Sequence, residues 1–208
     1  MASADLYLDT INLLKYLDKD DCAKCGFASC KEFIDALQKG NKRPQDCSSI
    51  SKNEAYALDA LQKIKELWPP VPLIVHPRPS LIGLFELNSP DAESLVIITG
   101  NNEYTEQVLL TVLGTTKGPF FVLFIDTDGN TVDMSMIYHT FTAERVHNAL
   151  KKARIEEKVR RKEVIIPGLA ASLKKDIETL TGWRVRVGPV CAAELPLFLS
   201  EIWIPPEE

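Results

Sequence analysis

The sequence predicts an α/β protein: a small helical front joined to a three-layer α/β domain with a mainly parallel sheet. Three observations carry this. Short continuous apolar runs at 95–98, 120–125 and 164–166 read as strands covered on both faces. Helical patterns at about 102–113, 142–153 and 168–180 lie between and after them, the alternation of a parallel sheet. A proline-rich stretch, Trp68-Pro69-Pro70-Val71-Pro72 followed by Pro77, Arg78 and Pro79, cannot continue a helix and marks the boundary.

In chain order, Leu6, Leu8, Ile11, Leu13, Leu14 and Leu17 recur at broadly helical spacing, which predicts an amphipathic helix over 4–17. Residues 28–40, with Phe33, Ile34, Leu37 and a closing Gly40, predict a second helix. Residues 51–68 predict a third. The expected organisation is therefore 1–68 as a front domain, 69–80 as a mobile linker and 81–208 as the α/β domain.

Composition narrows the function. A chain of 208 residues that is 45% hydrophobic has ample material for a core. It contains no run of 18 apolar residues, and Asp5 and Asp9 near the start do not suit a signal peptide, so a cytoplasmic protein without a membrane role is expected. A net charge of -5 and a pI near 5.4 argue against a nucleic-acid partner, which needs a basic face to displace counterions. The basic residues between Lys151 and Lys162 alternate with Glu156 and Glu157 and read as a solvated helix face.

Four of the five cysteines sit in the front: Cys22, Cys25, Cys30 and Cys47, spaced C-x2-C-x4-C-x16-C. In a reducing compartment such a set points to metal binding rather than to disulfides. Four soft thiolates suit an iron-sulfur cluster or structural zinc. Three ligands crowded on one loop with a single distant fourth favour a [4Fe-4S] cluster over zinc, whose sites usually pair two C-x2-C knuckles. Gly26, Ala28 and Ser29 would let backbone amides approach the inorganic sulfides. Cys191 stands apart beside Val190 and Ala192 and reads as a small buried hydrophobe.

In the back half, Gly100, Gly129, Gly168 and Gly188 each follow an apolar run or short strand, which places them at the carboxyl edge of the sheet. Ligands of open α/β sheets bind at that edge. Ordinary turn glycines would give the same pattern.

Taken together, these segments resemble the large (gamma) subunit of the corrinoid iron-sulfur protein of the acetyl-CoA pathway. The cysteine spacing is similar to that family's cluster domain. Val96-Ile-Ile-Thr-Gly-Asn101, Val122-Leu-Phe-Ile-Asp-Thr-Asp-Gly129, Val164-Ile-Ile-Pro-Gly-Leu-Ala-Ala171, Thr181-Gly-Trp-Arg-Val-Arg-Val-Gly-Pro189 and Glu194-Leu-Pro196 resemble its Rossmann-like corrinoid-binding domain. The TIM barrel that the family's large subunit carries between these parts, of about 200–250 residues, has no counterpart here.

The resemblance implies a corrinoid (cobalamin) held by Thr99, Gly100, Asn101, Tyr104, Thr105, Asp126, Thr127, Gly129, His139, Pro167, Gly168, Leu169, Gly188, Pro189 and Ala192, beside a [4Fe-4S] cluster on the four cysteines. It implies a methyl carrier: cobalt accepts and donates a methyl group, and the cluster returns Co(II) to Co(I). The implied partners are a methyltransferase, a methyl acceptor protein and a redox activator. The chain would serve a methyltransferase system without catalysing the transfers. Two departures stand out: Tyr138 and His139 are bulkier than their family counterparts, and Asn102 and Glu103 make the cap more polar. Competing readings are an electron-transfer module that has lost the corrinoid, and a corrinoid-binding regulatory or storage protein.

Overall fold

The computed structural model describes residues 7–17, 25–72 and 76–206. Its centre is a five-stranded sheet in the order β1-β3-β2-β4-β5. The strands are β1 (Gly83–Leu87), β2 (Leu95–Gly100), β3 (Phe120–Ile125), β4 (Glu163–Ile166) and β5 (Arg184–Val187). β2 pairs in parallel with β3 and β4, β4 pairs in parallel with β5, and β1 is antiparallel on the β3 edge.

The continuous apolar runs are explained by helices on both faces. Ile97, Val122, Phe124 and Ile165 turn towards α3 (Lys52–Glu66), α4 (Glu103–Leu113) and α8 (Leu195–Phe198). Val96, Ile98, Phe121, Leu123, Val164 and Ile166 turn towards α6 (Ala143–Lys152) and α7 (Lys174–Thr181). Alternate residues of one strand thus feed two cores, because successive side chains leave a strand on opposite faces. A short helix, α5 (Val132–Ile137), follows β3.

In the front, α2 (Cys30–Gln38) starts from Ser29, whose hydroxyl accepts the Glu32 amide. α3 starts from a capping box of Ser51 and Glu54, which satisfies two otherwise orphan amides. Of the helix expected over 4–17, only α1 (Leu14–Leu17) is helical among the described residues, and 1–6 lie outside them. The helix expected over 168–180 opens instead as a 3-10 turn, Gly168–Leu173, before α7.

The proline stretch does not mark a break in the core. Ala57, Leu58, Leu61 and Ile64 of α3 share one apolar cluster with Leu109, Val112, Leu113 and Trp203 of the α/β layers. Tyr56 of the same helix donates to the Thr115 carbonyl, and Asn53 donates to the Glu201 carbonyl at 3.2 Å. The far end of the stretch is also tied down. The Arg78 amide donates to the Gly129 carbonyl at 2.8 Å, the Ser80 amide to the Asn101 carbonyl at 2.9 Å, and the Glu103 amide to the Arg78 carbonyl at 3.0 Å. The helix placed in the front by sequence is therefore part of a sheet-covering layer.

Gly129 makes this strap possible. It sits at φ +72°, and a Cβ there would lie 2.5 Å from the Pro79 nitrogen. Gly129→Ala should lower stability by about 3 kcal/mol, the sum of a left-handed penalty and overpacking, as read by urea denaturation. An unchanged midpoint would show that Pro79 does not press on this loop.

Candidate functional site

The chain runs from β2 to β3 on one side and then crosses to β4 on the other, so the carboxyl ends of β2 and β4 form the switch point where open α/β sheets leave a crevice. A cavity of about 460 Å³ lies there. Ile97 and Ile165, which leave the sheet on the α4 face, form its apolar floor, and Ile98 and Ile166 border it at the strand ends. Tyr104, Thr105, Val108 and Leu109 of α4 form one wall, and Thr131 to Met134 at the start of α5 form another. The loops after β4 and β5 contribute Pro167, Leu169 and the run from Gly188 to Ala192. Tyr7, Trp68, Val71 and Pro72 complete it from the front of the chain.

Local hydrogen bonds fix these loops. The Asn102 side chain accepts the Tyr104 amide at 2.9 Å and so caps α4, while its Nδ2 donates to the Gly129 carbonyl at 2.7 Å. Asn101, 1% exposed, accepts the Thr127 amide at 2.7 Å, the Thr127 hydroxyl at 3.1 Å and the Gly129 amide at 3.3 Å. A buried amide that satisfies three donors holds the ends of β2 and β3 together. On the other side, the Gly168 amide donates to the Pro189 carbonyl and the Gly188 amide to the Ile166 carbonyl, both at 2.9 Å.

Of the residues nominated by resemblance, Thr99, Tyr104, Thr105, Pro167, Leu169, Gly188, Pro189 and Ala192 line this cavity. Gly100, Asn101, Thr127, Gly129 and Gly168 lie behind its surface and shape the loops: a Cβ at Gly100 would meet the Thr127 hydroxyl at 2.8 Å. Asp126 is exposed; its carbonyl accepts Arg145 and its carboxylate accepts the Asp128 amide. His139 is exposed at φ 55°, on the turn between α5 and α6, away from the cavity. Sequence reasoning missed Val108 and Leu109, although their spacing from Tyr104 on one helix is a readable stripe. It also missed the front contribution, since Trp68 to Pro72 reads as linker.

Cys191 is a small buried residue, and it also forms cavity wall. Burial pushes its thiol up to about 11, with Glu194 adding to the rise. The thiol is therefore protonated at neutral pH. Because the folded value lies above the ordinary 9.0, its contribution to stability is full below pH 9 and is lost as pH rises towards about 11. Cys191→Ala should flatten that alkaline loss by up to about 2.5 kcal/mol relative to the parent, measured by denaturation between pH 8 and about 11. Parallel pH profiles would count against this assignment. Beside it, burial raises the Glu194 carboxyl, opposed by Lys15 and by the Tyr16 hydroxyl, which donates to Glu194 at 3.5 Å.

Of the cysteine set, Cys22 lies outside the described residues. Cys30 is the first residue of α2 and Cys47 ends the 3-10 turn Pro44–Asp46; both are buried, and Cys25 is half-buried. Among the described residues, no three Cys, His, Asp or Glu side chains converge as a metal site. What fits a cluster is the donor set: soft thiolates on one loop and two element ends, with Gly26 at φ +82° opening the backbone between them.

The fold and cavity define a doubly wound α/β domain with a crevice at its switch point, joined to a cysteine-bearing helical front. Residues 69–199 match the family model described as "CO dehydrogenase/acetyl-CoA synthase delta subunit", and residues 17–49 match one described as "Putative Fe-S cluster". The chain belongs to the CO dehydrogenase/acetyl-CoA synthase delta subunit family. It is 38% identical over 143 residues to an acetyl-CoA decarbonylase/synthase complex subunit gamma of Archaeoglobus fulgidus, covering 67% of this chain and 28% of that one. It is 37% identical over 130 residues to the corrinoid/iron-sulfur protein large subunit of Moorella thermoacetica, covering 62% and 28%. A subunit gamma of Methanocaldococcus jannaschii is 27% identical over 203 residues, 93% of this chain and 40% of that one. The matches thus span well under half the length of these relatives.

Proposed function

We propose that this chain is a methyl carrier of the acetyl-CoA pathway that binds a corrinoid in the switch-point cavity and a [4Fe-4S] cluster on Cys22, Cys25, Cys30 and Cys47. The observation that carries the reading is the cavity between the ends of β2 and β4, lined by residues of four of the five segments that resemble the family's corrinoid-binding domain. A corrinoid has a broad apolar face and a rim of amides. The isoleucine floor suits the face, and the Thr99, Tyr104 and Thr105 side chains with the Gly188–Pro189 backbone suit the rim. At about 460 Å³ the cavity takes part of such a ring.

When bound, the corrinoid supplies a cobalt that takes up and gives up a methyl group, and the cluster supplies the electron that restores cobalt lost to oxidation. The chain's own residues seat and shield. The isoleucines exclude water from the ring face, and α4, fixed by Asn102, presents Tyr104 and Thr105. Among the described residues none that lines the cavity is a histidine, and the Cys191 thiol holds its proton at neutral pH. These residues would hold a corrinoid without offering its cobalt an imidazole from the described lining. The partners would be a methyltransferase, a methyl acceptor protein and a redox activator.

Anaerobic reconstitution with iron, sulfide and hydroxocobalamin tests this. Corrinoid bands beside broad cluster absorption, with a Co(II) electron paramagnetic resonance signal unchanged by His139→Ala, are expected. A cluster without corrinoid would make the chain an electron-transfer module instead. Nitrogen splitting that vanishes in His139→Ala would overturn the reading of the site.

A further inference from the structure

The cavity has a wall that does not belong to the α/β layers. Trp68, at the end of α3, lines it with Val71 and Pro72. The Trp68 Nε1 is shielded from solvent and has no acceptor among the described residues. The buried Trp203, by contrast, donates to the Thr115 hydroxyl at 3.2 Å. A buried N–H without a partner is costly, and that cost is relieved when a neighbouring carbonyl becomes available. The amide carbonyls at the rim of a corrinoid are acceptors of the required kind.

We propose that Trp68 is a ligand-contact residue: on binding, its indole turns so that the N–H donates to a rim carbonyl of the corrinoid. This inference rests on the corrinoid reading of the cavity and deepens it. One side chain would then link an occupied cavity to the helix that leads back to the cysteines. α3 packs against the segment at 192–202, and its Ala57 to Ile64 share one apolar cluster with Phe33 and Cys47 and with the sheet's Ile97 and Val122. Filling the cavity would steady the front of the chain without a new interface, since a ligand that favours one arrangement stabilises everything packed within it.

The test is titration of the full chain with hydroxocobalamin, followed in the visible band, for the parent and two variants. Trp68→Phe keeps an aromatic wall and removes the donor. Replacing Trp68 with benzothienylalanine keeps the indole's size and exchanges N–H for sulfur. Both should bind about five- to tenfold more weakly, the worth of one hydrogen bond. The benzothienylalanine protein without ligand should melt at or above the parent temperature, because its wall holds no orphan donor. Parent-like affinity in that protein would overturn the proposal while leaving the corrinoid reading intact. A lower melting temperature for it without ligand would also overturn the proposal, since the N–H would then have had a partner. Failure of the parent chain itself to bind would sink both.

Discussion

Cys30→Ala is expected to reduce iron from about four atoms per chain to near zero and to abolish the broad cluster absorption. Cys30 begins α2, where Ser29 caps the helix. Alanine fits there without strain, so the loss would be chemical rather than steric. The accompanying structural change should be local. Phe33 and Ile34 are anchored in the cluster that contains α3, and α3 is itself held by the sheet-covering layer. The cysteine loop should therefore loosen while far-UV circular dichroism changes little. Retention of full iron, or stoichiometric zinc in the anaerobically purified parent, would rule out the assignment.

Much of the fold was legible because the signals were local and strong. The runs at 120–125 and 95–98 read as strands buried on both faces, and β3 occupies the predicted residues. β1 carries no comparable signal: it is short, half-exposed and held on the edge by its antiparallel pairing with β3. The 3-10 opening of the segment after β4 was hidden too, since Gly168 is pinned against the loop at 188–190, a contact made only in the folded chain. The same limit explains α3. Residues 51–68 were legible as a helix, but nothing local says that it meets the segment at 192–202.

The candidate site divides in the same way. Residues such as Thr99, Pro167 and Gly188 were nominated as corrinoid contacts and lie on the cavity wall, because strand position fixes where they emerge. Gly100, Gly129 and Gly168 were nominated on the same logic, but their missing Cβ makes room for other parts of the chain: the Thr127 side chain, Pro79 and the backbone at 188–190. A glycine's sequence position says that something comes close. It does not say whether that is a ligand or the next loop. Cys191 and Trp68 reach the cavity through tertiary packing, which no spacing rule reports.

Gly168 therefore offers the sharpest test of how the cavity is built. A Cβ at this position would lie 2.7 Å from both the Pro189 carbonyl carbon and the Val190 nitrogen, and 2.8 Å from the Gly188 oxygen. All three are backbone atoms, so no flexible side chain can yield. The Gly168 amide also donates to the Pro189 carbonyl at 2.9 Å, and separating the two loops would break that bond. Pro167, Leu169, Gly188, Pro189 and Val190, all on the cavity surface, would move apart together. Gly168→Ala should cost about 3 kcal/mol, and Gly168→Leu more, by overpacking with loss of a hydrogen bond. Hydroxocobalamin binding should weaken by more than about tenfold in the alanine variant, since lining displaced by a fraction of an ångström no longer matches the ring. His139→Gly provides the contrast: this residue is exposed, outside the cavity and at φ 55°, where glycine is unstrained. That variant should bind as the parent does and be as stable or slightly more so, by up to about 1 kcal/mol. Urea midpoints and titrations of the two variants decide the matter: a Gly168→Ala protein with parent-like stability and affinity would show that the loops after β4 and β5 do not form the wall of the site.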